Sequence, residues 1–314
     1  MIRFFLGCAL AISLVQCGNE HTKAPAPESQ AKTTSVAIPT FDGKQAFVYL
    51  TTQTDFGPRV PNSPAHEKCL AYLQIELQKY ADAVNLQSFN QQGYNGVTLN
   101  LTNIIASFNL KATNRILLTA HWDSRPRADQ DTDPKKQNLP VQGANDGASG
   151  VAILMEIGRL LKLTPSSAGV DIVLTDGEDY GKEGDNARYL LGARYFAKNL
   201  PPGFHPAFGI LLDMVGDRDL SISKEPNSMH SAPDIVDLVW STAHELGVYQ
   251  FSNNVQFGVM DDHLPLNDAG IKTIDLIDFD YPYWHTTEDT PDKCSAESLE
   301  AVGKVLVNVI YRQP

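Results

Sequence analysis

The chain has 314 residues, 42% of them hydrophobic and 20% charged, with a formal net charge of -12 at pH 7. That balance belongs to a globular protein long enough for one large domain or two small ones. It argues against nucleic acid as a partner, because gripping phosphates requires a basic face.

In chain order, the first feature is an export signal: Arg3, the apolar run FFLGCALAISLV, then Cys17 followed by Gly-Asn-Glu. The run is too short for a permanent membrane span. Leu14 three places before Cys17 resembles a bacterial lipoprotein signal, although Gln16 departs from the small residue usual at that place. Residues 1–16 are therefore expected to be a signal peptide of lipoprotein type. The protein is expected to be exported and either periplasmic or membrane-anchored, with a lipid on Cys17 as its only contact with the membrane. Residues 17–37, rich in Pro, Ser, Thr and Ala, have the composition of a flexible tether. The remainder, 38–314, carries no linker, repeat or low-complexity run and reads as one domain. Past the leader only Cys69 and Cys294 remain. They could pair in an oxidising compartment, but a chain of this size needs no disulfide scaffold.

Ser63 and Pro64 open a helix whose apolar residues Leu70, Leu73, Ile75, Leu77 and Tyr80 approximate a stripe. Residues 102–108 and 115–123 are short apolar runs that read as strands. A strong helix over 147–163 follows, then a strand over 170–176, a helix over 186–200 and a strand over 208–216. A helix over 232–247, a strand over 272–279 and a last helix over 295–312 complete the pattern. Alternation of this kind predicts an α/β fold, a three-layer α/β/α sandwich with a mixed, largely parallel central sheet.

Polar residues collect where these strands end. The strand over 115–123 runs into His121 and Asp123, and 170–176 into Glu178 and Asp179; Asp213 ends a third, and the fourth leads on to Trp284 and His285. Asp146 stands just before the long helix. In open parallel sheets the C-terminal edge is where ligands bind. Taken singly, each residue has a bland reading: a His at a strand end is usually a hydrogen-bonded neighbour, an Asp before a helix usually an N-cap, a Trp near a sheet edge often core filler. The shared edge favours a functional reading, since imidazole and carboxylate are the ligands of zinc. A divalent cation would also explain why a hydrophobic strand is driven into Asp176, Glu178 and Asp179, whose charges otherwise repel.

The ordered set His121-x-Asp123, GANDGASG, DGED, LLDMVGD, DDHLP and WHT resembles the zinc aminopeptidase superfamily and, within it, the glutaminyl cyclases, bacterial members included. The resemblance covers nearly everything from residue 40 to 314. It implies the zinc aminopeptidase-like fold and a glutaminyl-peptide cyclotransferase that turns an N-terminal Gln into pyroglutamate with release of ammonia. One zinc ion per chain is implied, held by Asp146, Asp179 and His285 and polarising the γ-amide carbonyl. Glu178 is implied as the group that carries the proton from amine to leaving nitrogen, Asp213 as its proton-sharing partner and Asp261 as a substrate contact. Trp284 would wall the substrate pocket. Peptides and proteins with N-terminal Gln are the implied partners. Enclosure by Asp213 and Asp261 is expected to raise the pKa of Glu178.

The aminopeptidase branch uses the same frame differently, with two zinc ions bridged by Asp146. His121 and Asp213 would complete the additional ion's set, whereas in a cyclase His121 stands beside the metal. The chain departs from the animal cyclases in four places: Asp179 stands for their Glu, Asp275 for a His, Met260 for a Gln on the substrate side, and the segment from Asp275 to Trp284 is one residue shorter. A catalytically dead binder of peptide N-termini would be expected to lack a ligand or Glu178, and all are present.

Overall fold

The computed structural model describes residues 37–314. The export-signal and lipid-anchor expectations, with nearly all of the tether, fall on residues outside that range. Among the described residues no helix is long and apolar enough to cross a membrane.

A six-stranded sheet forms the centre, in the order β1 (Ala83–Gln92), β2 (Thr98–Phe108), β4 (Gly169–Thr175), β3 (Arg115–His121), β5 (Phe208–Asp213), β8 (Thr273–Ile277). β1–β2 and β2–β4 run antiparallel; β3–β4, β3–β5 and β5–β8 run parallel. The mixed, largely parallel sheet expected from the alternation is therefore the one observed.

Both faces of the central strands are covered, which is why these strands read as continuous apolar runs. On one face Ile116, Leu118, Ile172 and Leu174 pack into the main core with α1 (Gly43–Asp55), α2 (Pro64–Tyr80), α3 (Ala148–Leu163) and α8 (Ala296–Tyr311). On the other, Leu117 and Val173 meet Phe196 of α4 (Leu191–Lys198) and Leu266 of α7 (His263–Asp268). Helix α3 lies so close to β5 that a Cβ on Gly150 would stand 2.3 Å from the Leu212 carbonyl oxygen. Only glycine allows that approach, which brings the N-terminus of α3 onto the sheet's C-terminal edge. The remaining elements are β6 (Ile222–Lys224), α5 (Pro226–Ser231), α6 (Pro233–Glu245) and β7 (Phe251–Val255), with β6 and β7 forming a small separate sheet.

Several boundaries differ from the sequence reading. The helix expected over 186–200 is a short 3-10 turn over Asn186–Arg188 followed by α4, broken at Leu190, whose φ is 59°. The break has a cause: the amides of Leu190 and Leu191 donate to the carbonyls of Glu178 and Gly177, so the chain is tied to the acidic turn instead of continuing its helix. Likewise the strand expected over 208–216 stops at Asp213. Met214 has a φ of 47°, and the next amides leave the sheet to bond the Ser149 hydroxyl and the Asn145 side chain. Cys69 and Cys294 are separate buried thiols, not a disulfide.

Candidate active site

Parallel register aligns the strand ends: His121 lies opposite Thr175, and Asp213 opposite Ile277. The loops that follow converge on a cavity of about 360 Å³ lined by Asp146, Glu178, Asp179, Asp213, Asp261 and His285, among others. Every metal-ligating and catalytic residue expected from sequence lines it except His121, which is buried beneath the floor.

The acidic turn resolves its own repulsion by sending its carboxylates three ways. Asp176 turns inward and accepts from the Thr102 amide at 2.7 Å, with His66 Nε2 at 2.8 Å. Gly177, with a φ of 73°, then reverses the backbone where a side chain would crowd Leu101. Asp123 fixes the next two residues by accepting from the amides of Glu178 at 3.0 Å and Asp179 at 3.3 Å. Asp179 points toward Arg125 and His285, while Glu178 faces Asp261 and Asp262.

Asp146, Asp179 and His285 bring one ligand atom each to within 4.8 Å of one another. His285 Nε2 stands 3.3 Å from Asp179 Oδ1 and 3.6 Å from Asp146 Oδ2. Asp179 Oδ2 is buried with no hydrogen-bond partner, an expensive state for a carboxylate oxygen unless something positive meets it. One imidazole and two carboxylates with an orphaned oxygen fit a zinc ion that keeps open positions. Asp146 is not a helix cap, because α3 starts without any side-chain cap hydrogen bond. Asp289 holds its backbone instead, accepting from the Asn145 and Asp146 amides at 2.8 and 3.2 Å. His285 sits in the left-handed region with a φ of 54°, a conformation that costs energy and clusters at functional sites.

His121, Asp146 and Asp213 also form a ligand-like group within 4.8 Å. Here, however, His121 Nε2 lies 3.0 Å from Asp146 Oδ1 and 3.2 Å from Asp213 Oδ1, so the ring itself links the two carboxylates. Asp213, the residue that the resemblance implies as the proton-sharing partner of Glu178, has His121 Nε2 as a hydrogen-bond partner at 3.2 Å.

Electrostatics separates the acids. Glu178 is pushed well above the ordinary Glu range, first by burial, then by Asp179, Asp261 and Asp262, against the pull of His121. The expected contribution of Asp261 is there; that of Asp213 gives way to Asp179, its chain neighbour. Burial, helped by Asp213, lifts Asp261 to about 7, and burial, helped by Asp261, lifts Asp262 to about 7. Burial lifts Asp213 to about 6, against His121. Asp179 goes the other way: burial works to raise it, but Arg125 and then His285 hold it below the carboxylate range.

Trp284 is a half-buried wall residue, its ring 3.8 Å from His285 and 5.0 Å from Phe279. Phe257 continues this aromatic wall to the mouth, packing edge-on against Phe279 at 5.2 Å while 61% exposed. Met260 lies on the rim, whereas Asp275 is buried behind the cavity and does not line it. Sequence reading missed Arg125, Asp129 and Phe257. A signal existed for the first two, a basic residue two places beyond Asp123 followed by another acid; Phe257 carried none.

A model of peptidase family M28 matches residues 103–310. Among solved structures, a leucine aminopeptidase precursor from Bacteroides thetaiotaomicron is 40% identical with a TM-score of 0.87, over 89% of this chain and 100% of that one. A glutaminyl cyclase of the same species, bound to N-acetylhistamine, is 40% identical with a TM-score of 0.86, over 88% of this chain and 100% of that one. A glutaminyl-peptide cyclotransferase from Boiga irregularis is 23% identical over 81% of this chain and 78% of its own length. The chain spans about half the length of the first curated relatives it matches, 50% and 57%.

Proposed function

The chain belongs to peptidase family M28, and from that premise we propose that it is a zinc-dependent glutaminyl-peptide cyclotransferase. Its substrates would be peptides and proteins with N-terminal Gln, and its products pyroglutamyl chains and ammonia. The observation that carries the reading is the division between the two ligand-like groups. His121 already joins Asp146 to Asp213, while Asp146, Asp179 and His285 keep an orphaned oxygen and only longer contacts. That division supports one metal per chain, the complement that the resemblance implies for a cyclase.

Zinc held by Asp146, Asp179 and His285 would supply Lewis acidity toward the γ-amide carbonyl of the substrate. The residues themselves do the rest. Trp284 forms an apolar wall of the cavity and Asp261 lines its polar side, an enclosure suited to the first residue of a peptide. Glu178, crowded by negative neighbours, has the raised proton affinity that suits a group which must take a proton from the α-amine and return it to the departing nitrogen. The amine attacks the γ-carbon, the carbon–nitrogen bond of the amide breaks, and no water is consumed. We also propose that the chain acts outside the cytoplasm, on the strength of its leader sequence.

A second reading, a two-zinc aminopeptidase, is favoured by the His121, Asp146 and Asp213 group. Incubation with an N-terminal Gln peptide separates the two. Cyclisation releases ammonia and leaves the chain at full length, whereas an aminopeptidase releases free Gln and a shortened peptide.

A further inference from the structure

Two of the three metal-ligand candidates, Asp179 and His285, are backed by one partly buried ion pair. Arg125 follows β3 and uses all five of its N–H groups. Nη1 donates to Asp179 Oδ1 at 2.5 Å and to the Asp179 carbonyl at 3.2 Å. Nε and Nη2 grip both oxygens of Asp129 at 2.7 and 2.6 Å, and Nη2 also reaches the Tyr189 hydroxyl at 3.1 Å. Asp129 in turn stands 3.7 Å from His285 Nδ1, the ring nitrogen opposite the one that faces Asp146 and Asp179.

We propose that Arg125 and Asp129 act as one positioning unit for the metal centre, Arg125 fixing the Asp179 carboxylate and Asp129 fixing the His285 ring. Held this way, the free Oδ2 of Asp179 and Nε2 of His285 are presented to the same ion. A loop tie alone would not require this pair. The neighbouring Arg127 already fastens the segment, donating to the Gly181 carbonyl and lying 4.4 Å from the Tyr94 ring centroid. What sets Arg125 and Asp129 apart is that their contacts end on the two ligands. Partners behind metal ligands typically account for roughly 10- to 100-fold in metal affinity or activity, because they fix the ring orientation and the lone-pair direction. The inference rests on the Asp146, Asp179 and His285 set, which the one-zinc and two-zinc readings share.

The variants Arg125→Lys and Asp129→Asn test it. The first keeps the charge but loses the fork, so any effect reports geometry. The second keeps the shape but loses the negative charge that faces His285 and one of the two oxygens that Arg125 grips. Zinc affinity is measured by competition between metal-free protein and a chromophoric chelator, with thermal melting of the metal-free protein alongside. Each variant is expected to bind zinc roughly 10- to 100-fold more weakly, with metal-free melting near that of the parent. The double variant is expected to lose about as much as either single, because the two act as a unit. Zinc affinity equal to the parent's in either folded variant overturns the proposal, as does a loss of metal-free stability without a loss of affinity. If Arg125→Lys does not fold, the isosteric Asp129→Asn carries the test. A parent that takes up no zinc overturns the metal centre and the positioning role together. A parent that takes up zinc but cyclises nothing overturns only the cyclase reading, and the comparison of affinities still decides this one.

Discussion

Glu178 and Asp179 are chain neighbours with opposite titration behaviour, and their surroundings account for it. Asp179 has a guanidinium at 2.5 Å; Glu178 has only acids nearby and a buried imidazole beyond them. Glu178→Gln is therefore expected to keep zinc while losing the proton carrier. Loss of a positioned acid/base costs on the order of 100- to 10,000-fold in kcat, with little change in KM. Metal analysis beside steady-state rates checks this, and a zinc-free variant would show that the roles of the neighbours are exchanged. Asp262 supplies a second test. Its carboxylate accepts from the Thr175 hydroxyl at 2.6 Å and adds to the negative field that raises Glu178. Removing a negative neighbour makes a carboxyl group easier to ionise, so Asp262→Asn should move the acidic limb of the kcat/KM profile to lower pH. A limb that stays in place or moves upward would separate Glu178 from that limb.

Elements differ in how plainly the sequence announces them. Helix α2 is legible from Ser63 and Pro64, and Ser63 does cap it, accepting from the His66 amide at 3.1 Å. The buried strands β3, β4 and β5 are legible because two covered faces leave no room for polar residues. Helix α1 was not legible: its sequence GKQAFVYLTTQTD mixes Thr and Gln with its few apolar residues, so the stripe is faint. Edge strand β1, with Asn, Gln and Ser exposed to water, shows no clean alternation. The broken helix at Leu190 and the early end of β5 depend on bonds to distant residues, Gly177 and Asn145, which no local pattern contains. The approach of α3 to β5 is tested by Gly150→Ala. Overpacking of this kind costs about 1–3 kcal/mol, and chemical denaturation should show that loss with reduced turnover, since α3 begins just after Asp146. A variant as stable as the parent would mean that the helix can shift away from the strand without cost.

For the whole molecule, the sheet's C-terminal edge was legible as a site before any geometry was known, because His121, Glu178, Asp179, Asp213 and His285 all fall where strands end. How those residues pair was not legible. Asp213 bonds His121 across the edge of the sheet, and Arg125 enters the site by donating to Asp179. The pairing bears on metal count. His121→Ala is expected to leave close to one zinc per folded chain, the complement expected of the parent; a fall from two to one would favour the aminopeptidase reading. Cyclisation and hydrolysis also differ in whether water enters the product, and that difference tests the central claim most directly. An N-terminal Gln peptide is incubated with the enzyme in heavy-oxygen water, and the products are read by mass. The account predicts pyroglutamyl peptide lighter by one ammonia and free of solvent oxygen. Heavy oxygen in released Gln, or in a Glu formed from the side-chain amide, would contradict it.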